Sequence, residues 1–264
     1  MHIARLKLLP FAVVALCAAS ASSHAATVLY STDFNGPAYA DGAIATDITT
    51  GQSGWLYTAS ATGTAPVISN TATNGVVSLA SSGPDVKHAL ADTVTAGTSV
   101  YVSATINLSA VQATGDYFLH LSDGSSSLFF GRIYAKSATG GYTLAFASSS
   151  GTPAAAAYGT TVLSLNTSYN ILFRYDYVAG TTNDTGSLWV NPTSEDGSTD
   201  TAYVGLTVLG VDPTVAINTI NLRQGNASNA ATLTVDNLSV YTIPEPATAL
   251  LGAFGLLGLL RRRR

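Results

Sequence analysis

The chain predicts an all-β fold, an antiparallel sandwich of two sheets, and three observations carry that prediction. Apolar residues alternate with polar ones at a period of two over many short runs. Clusters of Gly, Ser, Asn and Asp separate the runs. No apolar stripe of helical period and useful length occurs between residues 26 and 243. About a dozen such runs can bury their apolar sides without helices only as a sandwich or a barrel. This stretch of 218 residues suffices for one large domain with its own core.

Taken in order, Thr27 to Phe34 is β-prone and stops at the turn-forming pair Asn35-Gly36. Pro37 to Gly54 mixes small residues with Asp and Gly, so it is expected as a loop leading to Trp55-Leu56-Tyr57. Val67-Ile68 and Val76-Val77-Leu79 mark two short strands separated by Asn70 to Gly75. From Val100 the alternation is clear. Val102, Ala104, Ile106 and Leu108 fall on one face and Tyr101, Ser103, Thr105 and Asn107 on the other. Tyr117 to Leu121 precedes a turn at Asp123-Gly124, and Leu128 to Tyr134 is apolar on both faces, which predicts a central strand. Gly140-Gly141 separates it from Tyr142 to Phe146. Asn170 to Tyr177 places Ile171, Phe173, Tyr175 and Tyr177 on one face and Asn170, Leu172, Arg174 and Asp176 on the other. Gly180 to Gly186 forms a turn into Ser187 to Asn191, which Pro192 ends because it lacks a ladder N–H. Ile217 to Arg223 and Leu233 to Tyr241 are the last strands. The parity change between Val235 and Leu238 predicts a bulge near Asp236-Asn237.

The two ends predict export. Arg5 and Lys7 precede an apolar run from Leu8 to Ala19, and Ser23-His24-Ala25 supplies the small residues a signal peptidase reads, with cleavage between Ala25 and Ala26. Cys17, the only cysteine, lies inside that leader, so the body cannot depend on disulfides. At the other end, Pro244-Glu245-Pro246 precedes fourteen apolar or small residues and then Arg261 to Arg264. At 1.5 Å per residue that helix is roughly 21 Å long, short of the ~30 Å hydrocarbon core, so membrane association is expected to be transient. The arginines hold their end in the cytoplasm and leave the body outside. With two basic residues in the leader and four in the tail, five remain in the body against fourteen acidic ones, a net charge of −9. Nucleic-acid binding is excluded on that balance.

This order of Pro-Glu-Pro, short helix and arginine cluster resembles the PEP-CTERM sorting signal of Gram-negative bacteria. The resemblance implies three segments: a signal peptide at 1–25, a body at 26–243 and a sorting signal at 244–264. It also implies recognition by an exosortase and delivery to the cell surface or the extracellular matrix. A second resemblance runs from residue 100 to 241. Gly115-Asp116-Tyr117-Phe118-Leu119, Gly131-Arg132, Arg174-Tyr175-Asp176-Tyr177, Leu188-Trp189-Val190-Asn191-Pro192 and Leu222-Arg223-Gln224-Gly225 occur in the order found in LamG-like, concanavalin-like jelly-roll domains. That resemblance implies an antiparallel jelly roll, often with carbohydrate or protein ligands, and no single activity.

Chemistry for catalysis is sparse. Glycoside hydrolysis needs two carboxylates flanking the scissile bond, yet the body has one glutamate, Glu195, in a turn-rich segment. No nucleophile elbow, zinc-binding His-Glu-x-x-His or phosphate loop occurs. A non-catalytic surface or matrix protein, whose jelly-roll surface meets polysaccharide or neighbouring proteins, is therefore expected. The other two readings are a polysaccharide-active enzyme and a structural matrix component. No cofactor is expected. Asp33 and Asp236-Asn237, on the terminal strands, are expected in turn and ladder roles rather than around calcium. An aromatic plate with planar polar neighbours would hold a sugar, and Trp189, Asn191 and Arg174 are the residues chosen, with Asp176, Arg132 and His120 also available. The competing expectation for Trp189 is packing under a neighbouring loop. The net charge points to a neutral glycan.

Overall fold

The computed structural model describes residues 25–71, 74–147, 155–208 and 214–244. The expected leader as far as His24, including Cys17, and the tail from Glu245 onward lie outside the described residues. Ala26–Pro244 forms one compact unit. Among the described residues no helix is long and apolar enough to cross a membrane.

The strands in chain order are β1 (Thr27–Thr32), β2 (Gly42–Ala43), β3 (Leu56–Tyr57), β4 (Val67–Thr71), β5 (Asn74–Leu79), β6 (Val86–Val94), β7 (Thr98–Ala110) and β8 (Asp116–Ser122). They continue as β9 (Phe129–Ala138), β10 (Gly141–Ala147), β11 (Ala157–Tyr158), β12 (Ser168–Tyr177), β13 (Thr185–Val190), β14 (Val204–Val208), β15 (Ile217–Leu222) and β16 (Thr232–Thr242). All pairings are antiparallel. One sheet runs β14-β13-β12-β7-β16-β5-β4-β2, with β1 also paired to β16, and the smaller runs β11-β10-β9-β8-β15-β6-β3. Neighbours that are distant in sequence, such as β7 beside β16 and β8 beside β15, show the crossing connections of a jelly roll.

The alternation places the core as expected. Val102, Ile106 and Leu108 of β7 and Ile171, Phe173 and Tyr175 of β12 are buried toward the smaller sheet, which answers with Leu119, Leu121, Phe130, Ile133, Leu144, Phe146, Ile220 and Leu222. Ring pairs join the layers: Phe146 meets Phe173 at 5.6 Å and Phe130 meets Tyr175 at 5.9 Å. Each buried ring or branched side chain contributes about 1.5–3 kcal/mol by leaving water. Gly186 of β13 is required by this approach, since a Cβ there would lie 1.8 Å from the Phe146 ring. Trp55 is fully buried and donates from its indole N–H to Tyr30 Oη at 2.9 Å, closing one end of the core.

β9 lies inside its sheet, as its two-sided apolar character predicts. The expected bulge in β16 is present, with a register shift between Asp236 and Ser239 and a left-handed φ of 48° at Asn237. Pairing of Thr32 with Leu238 brings Asp33 toward Asp236, whose carboxyl is raised by burial and further by the Asp33 charge. β2, β6, β11 and β14 are strands the pattern did not reveal. In β6 the register shifts between the pairs Thr219–Ala89 and Ile217–Val94, so its residues do not alternate.

Candidate functional site

Each sheet turns one face to the core and one away from it, and both outward faces carry aromatic and cationic side chains. On the larger sheet, Trp189 projects away from the core because Leu188 points into it. It is not an open plate. Its side chain is 8% exposed and packs with Tyr101, Leu172 and Tyr241. The segment from Asn191 to Tyr203 covers it. Gly197, at a φ of 68°, sits so close that a Cβ would lie 2.4 Å from the indole, and the indole N–H points at the Asp200 carbonyl at 3.4 Å. Asp200 pins this segment: its carboxylate accepts from the backbone N–H and the hydroxyl of both Thr193 and Ser194 at 2.8–3.0 Å. Those bonds hold its carboxyl down at about 2. Tyr241 Oη donates to the Glu195 carbonyl at 2.6 Å.

The chosen trio is thus divided. Asn191 is exposed in a left-handed conformation, φ 52°, and its side-chain oxygen accepts from Asn170 N–H at 2.9 Å. Arg174 pairs with Asp176, Nε to Oδ1 at 2.5 Å, and lies 5.9 Å from the Tyr101 ring. Burial of Trp189 corrects the expectation of an open sugar platform on this face and agrees with its packing under a loop. The cause is Gly197, which lets the covering backbone descend onto the indole.

The smaller sheet's outward face is different. Pairing of Asn221 with His120 and of Thr219 with Ser122 aligns these four side chains away from the core, since Ile220, Leu222, Leu119 and Leu121 fill it. His120 is 1% exposed and neither ring nitrogen has a hydrogen-bond partner. Burial holds its pKa well below the usual imidazole range, and the positive charges of Arg132 and Arg223 lower it further. The ring is neutral at physiological pH, with one donor and one acceptor to offer. Around it stand Phe129, edge to face at 4.8 Å, and Tyr117 at 5.2 Å.

Two guanidiniums lie against the same aromatic group. Arg132 sits 4.5 Å from the Phe129 ring and 4.7 Å from Tyr117, and donates to Tyr134 Oη at 3.4 Å. Arg223 lies 4.1 Å from Tyr117 and pairs with Asp116 at 2.6 Å and Asp85 at 3.5 Å. Burial raises Tyr117, Tyr134 and Asp85, with Arg223 opposing in the case of Asp85. Lys136 Nζ rests 3.7 Å from the Tyr158 ring. Asn221 donates to Ser122 Oγ and Thr219 Oγ1 while its Oδ1, like Thr143 Oγ1 and Tyr158 Oη, is buried without a partner. Beside His120 a cleft of about 230 Å³ opens between Phe129, Arg223, Asp85, Pro84 and Thr58.

His120 and Arg132 belong to the available set named from sequence, while Tyr117, Phe129, Tyr134, Asn221 and Arg223 were missed. Their one sequence signal is a wealth of rings and cations on strands whose other face is apolar.

The chain is similar to several solved structures at low sequence identity. A carbohydrate esterase from the Shiga toxin-encoding bacteriophage phi24B superposes with a TM-score of 0.50 and 12% identity, covering 83% of this chain and all of that one. Domain 4 of an extracellular arabinanase from Geobacillus stearothermophilus, solved with arabinotriose, gives 0.48 and 11% over 83% of this chain and 95% of the domain. A carbohydrate-binding module from Bacillus subtilis gives 0.35 and 13% over 71% and 95%. No curated protein matches the sequence. The model of the PEP-CTERM protein-sorting motif matches residues 242–264. The chain therefore carries a jelly-roll body and a PEP-CTERM sorting motif, the mark of an exported protein that an exosortase processes after transient anchoring in the membrane.

Proposed function

We propose that the body is a non-catalytic, polysaccharide-binding module displayed at the cell surface or in the extracellular matrix, and that the outward face of the smaller sheet is its binding face. The observation that carries this reading is His120, buried beside the cleft with both nitrogens unpaired and walled by Phe129 and Tyr117. An unpaired buried polar group costs about 1–3 kcal/mol, and a ligand hydroxyl that bonds the nitrogen facing the cleft recovers that cost for one of the two. Aromatic walls cover the C–H faces of sugar rings while Arg and Asn reach hydroxyls. The cleft is smaller than the ~300–1,000 Å³ that encloses a drug-sized molecule, which suits one unit of a longer chain lying across the sheet. A binding face is favoured over a catalytic one because Asp85 and Asp116 both pair with Arg223, so neither stands free as an acid or a nucleophile.

A glycan array with the full chain tests the ligand, and a reducing-end assay on the sugars retained tests for turnover. Binding without new reducing ends is expected; release of products makes the protein an enzyme, and a flat array leaves a purely structural role. Sorting is tested separately by changing Pro244-Glu245-Pro246 to three alanines. Unprocessed protein should accumulate in the membrane, and undiminished surface display of that variant refutes the sorting role.

A further inference from the structure

We infer that the glycan held on this face is acidic, a polymer bearing carboxylates such as a polyuronate. The inference rests on the reading of the face as a glycan site and names the class of ligand it takes. Of the five basic residues in the body, Lys87, Arg132, Lys136, Arg174 and Arg223, all but Arg174 lie on the outward side of the smaller sheet. They come from β6, from β9 and from the end of β15, and so extend across the four neighbouring strands β9-β8-β15-β6. At the cleft Asp85 and Asp116 pair with Arg223. A body with an overall charge of −9 has thus gathered its cations on one surface.

Distance decides which charge a ligand feels. Exposed charges more than about 8 Å away are largely screened at physiological ionic strength, so a polymer on this face meets the local cations rather than the acidic remainder. The local cations are also of the right kind. Arg223 is braced against Tyr117, which fixes the plane of its forked donors, and a planar guanidinium matches a carboxylate with two parallel hydrogen bonds, while Arg132, buried at 4% exposure between Tyr117 and Phe129, adds its charge to the local field from beneath the rings. Arg223 holds Asp116 at 2.6 Å but Asp85 only at 3.5 Å, so Asp85 is the partner that yields to an incoming carboxylate. His120, unpaired at the same cleft, is left for the hydroxyls of the same sugar unit.

The test measures binding of the full chain, in detergent micelles, to polygalacturonate and to the same polymer with its carboxylates reduced to alcohols. Three proteins are compared: the unaltered chain, Lys87→Gln with Lys136→Gln, and Asp85→Asn. The acidic polymer should bind at least about tenfold more tightly than the reduced one, the effect of one charge-assisted hydrogen bond. The double lysine variant should lose several-fold of that affinity through its weakened local field, and more of it at low salt than at high salt. Asp85→Asn should bind the acidic polymer more tightly and the reduced polymer no differently. Equal binding of both polymers overturns the acidic preference and leaves the glycan face standing. Binding of neither overturns the glycan face and this inference with it. Acid-selective binding that both the lysine and the Asp85 variants leave unchanged belongs to the Arg261 to Arg264 tail, and likewise overturns the inference.

Discussion

On the outward side of the larger sheet, an indole, two phenols and a leucine are closed beneath a loop whose every turn is tied down: Gly197 rests on the ring of Trp189, Tyr241 holds the Glu195 carbonyl, and Asp200 gathers Thr193 and Ser194. On the outward side of the smaller sheet, two guanidiniums, a histidine and several rings lie against one another, and the histidine and a neighbouring asparagine keep hydrogen-bonding atoms unused. The residue types are similar and the outcomes are opposite. Where a loop descends, the aromatic group becomes a second small core that stabilises the fold. Where no such set of bonds closes it, buried polar atoms are left without partners. Satisfaction of polar atoms, rather than the presence of aromatic residues, separates a packing cluster from a binding face.

The largest expected effect breaks this contrast from the packing side. Trp189→Ala removes a nearly buried indole, a change that costs about 3–5 kcal/mol when burial is complete. At roughly 2–4 °C per kcal/mol for a domain of this size, the melting temperature should fall by about 6–12 °C at the lower end of that range. Glycan binding per folded molecule should be unchanged. A variant that melts normally but binds nothing moves the site to the larger sheet.

Phe129→Ala sharpens the contrast from the other side. Phe129 is half-buried and walls the cleft, so its loss should weaken glycan binding by up to about tenfold, in line with an aromatic contact of roughly 0.5–1.5 kcal/mol beyond area. Its melting temperature should fall less than that of Trp189→Ala. A larger fall, with binding intact, makes this cluster a packing cluster too.

Acid provides a milder probe of the loop. The folded Asp200 carboxyl, at about 2, lies below its unfolded value, so its bonds stabilise the folded loop fully above that unfolded value, and this contribution fades as pH falls toward 2. Tryptophan emission should shift to the red between about pH 4 and 2 as Trp189 is uncovered, with Trp55 still enclosed in the core. Asp200→Ala should show the shifted spectrum already at neutral pH. An identical acid response in that variant excludes Asp200 as the pin.

How much of this was legible depended on whether a strand alternates cleanly. Val102 to Leu108 and Ile171 to Tyr177 show a strict period of two, and their faces came out as read. Val86 to Val94 carries Lys87, His88 and Asp92 and changes register partway along, so the period never appears. Val204 to Val208 is apolar but broken by Gly205, and as an edge strand it leaves Leu206 72% exposed. The outward site was harder still. Tyr117, His120, Arg132, Asn221 and Arg223 come from three regions joined only by the pairing of β15 with β8 and of β8 with β9, and register shifts in β8 upset the parity that would have grouped them. Net charge is silent for a related reason. A sum over the chain contains no positions, and the grouping of Lys87, Arg132, Lys136 and Arg223 on one side of the smaller sheet emerges only once the sheet order brings them together.

Arg174 supplies the smallest effect and a control for that argument about charge. It is the one body cation on the opposite side, paired with Asp176 at 2.5 Å but with its own side chain 38% exposed. Exposed pairs of this kind contribute about 0–1 kcal/mol, because water and salt screen them and two side chains must be held still. Asp176 would not be stranded by removal of its partner, since it also accepts from Ser99 Oγ and Thr185 Oγ1. Arg174→Gln should therefore lower the melting temperature by no more than about 2–4 °C, less at high salt, and should leave binding to polygalacturonate unchanged. It removes a charge of the same sign from the same body, so the total becomes more negative just as it does in a single change at Lys87 or Lys136. If total charge governed recognition, the three single variants would lose affinity alike. If the local field governs it, only the two lysine changes register, and an equal loss in Arg174→Gln would return the question to the net charge.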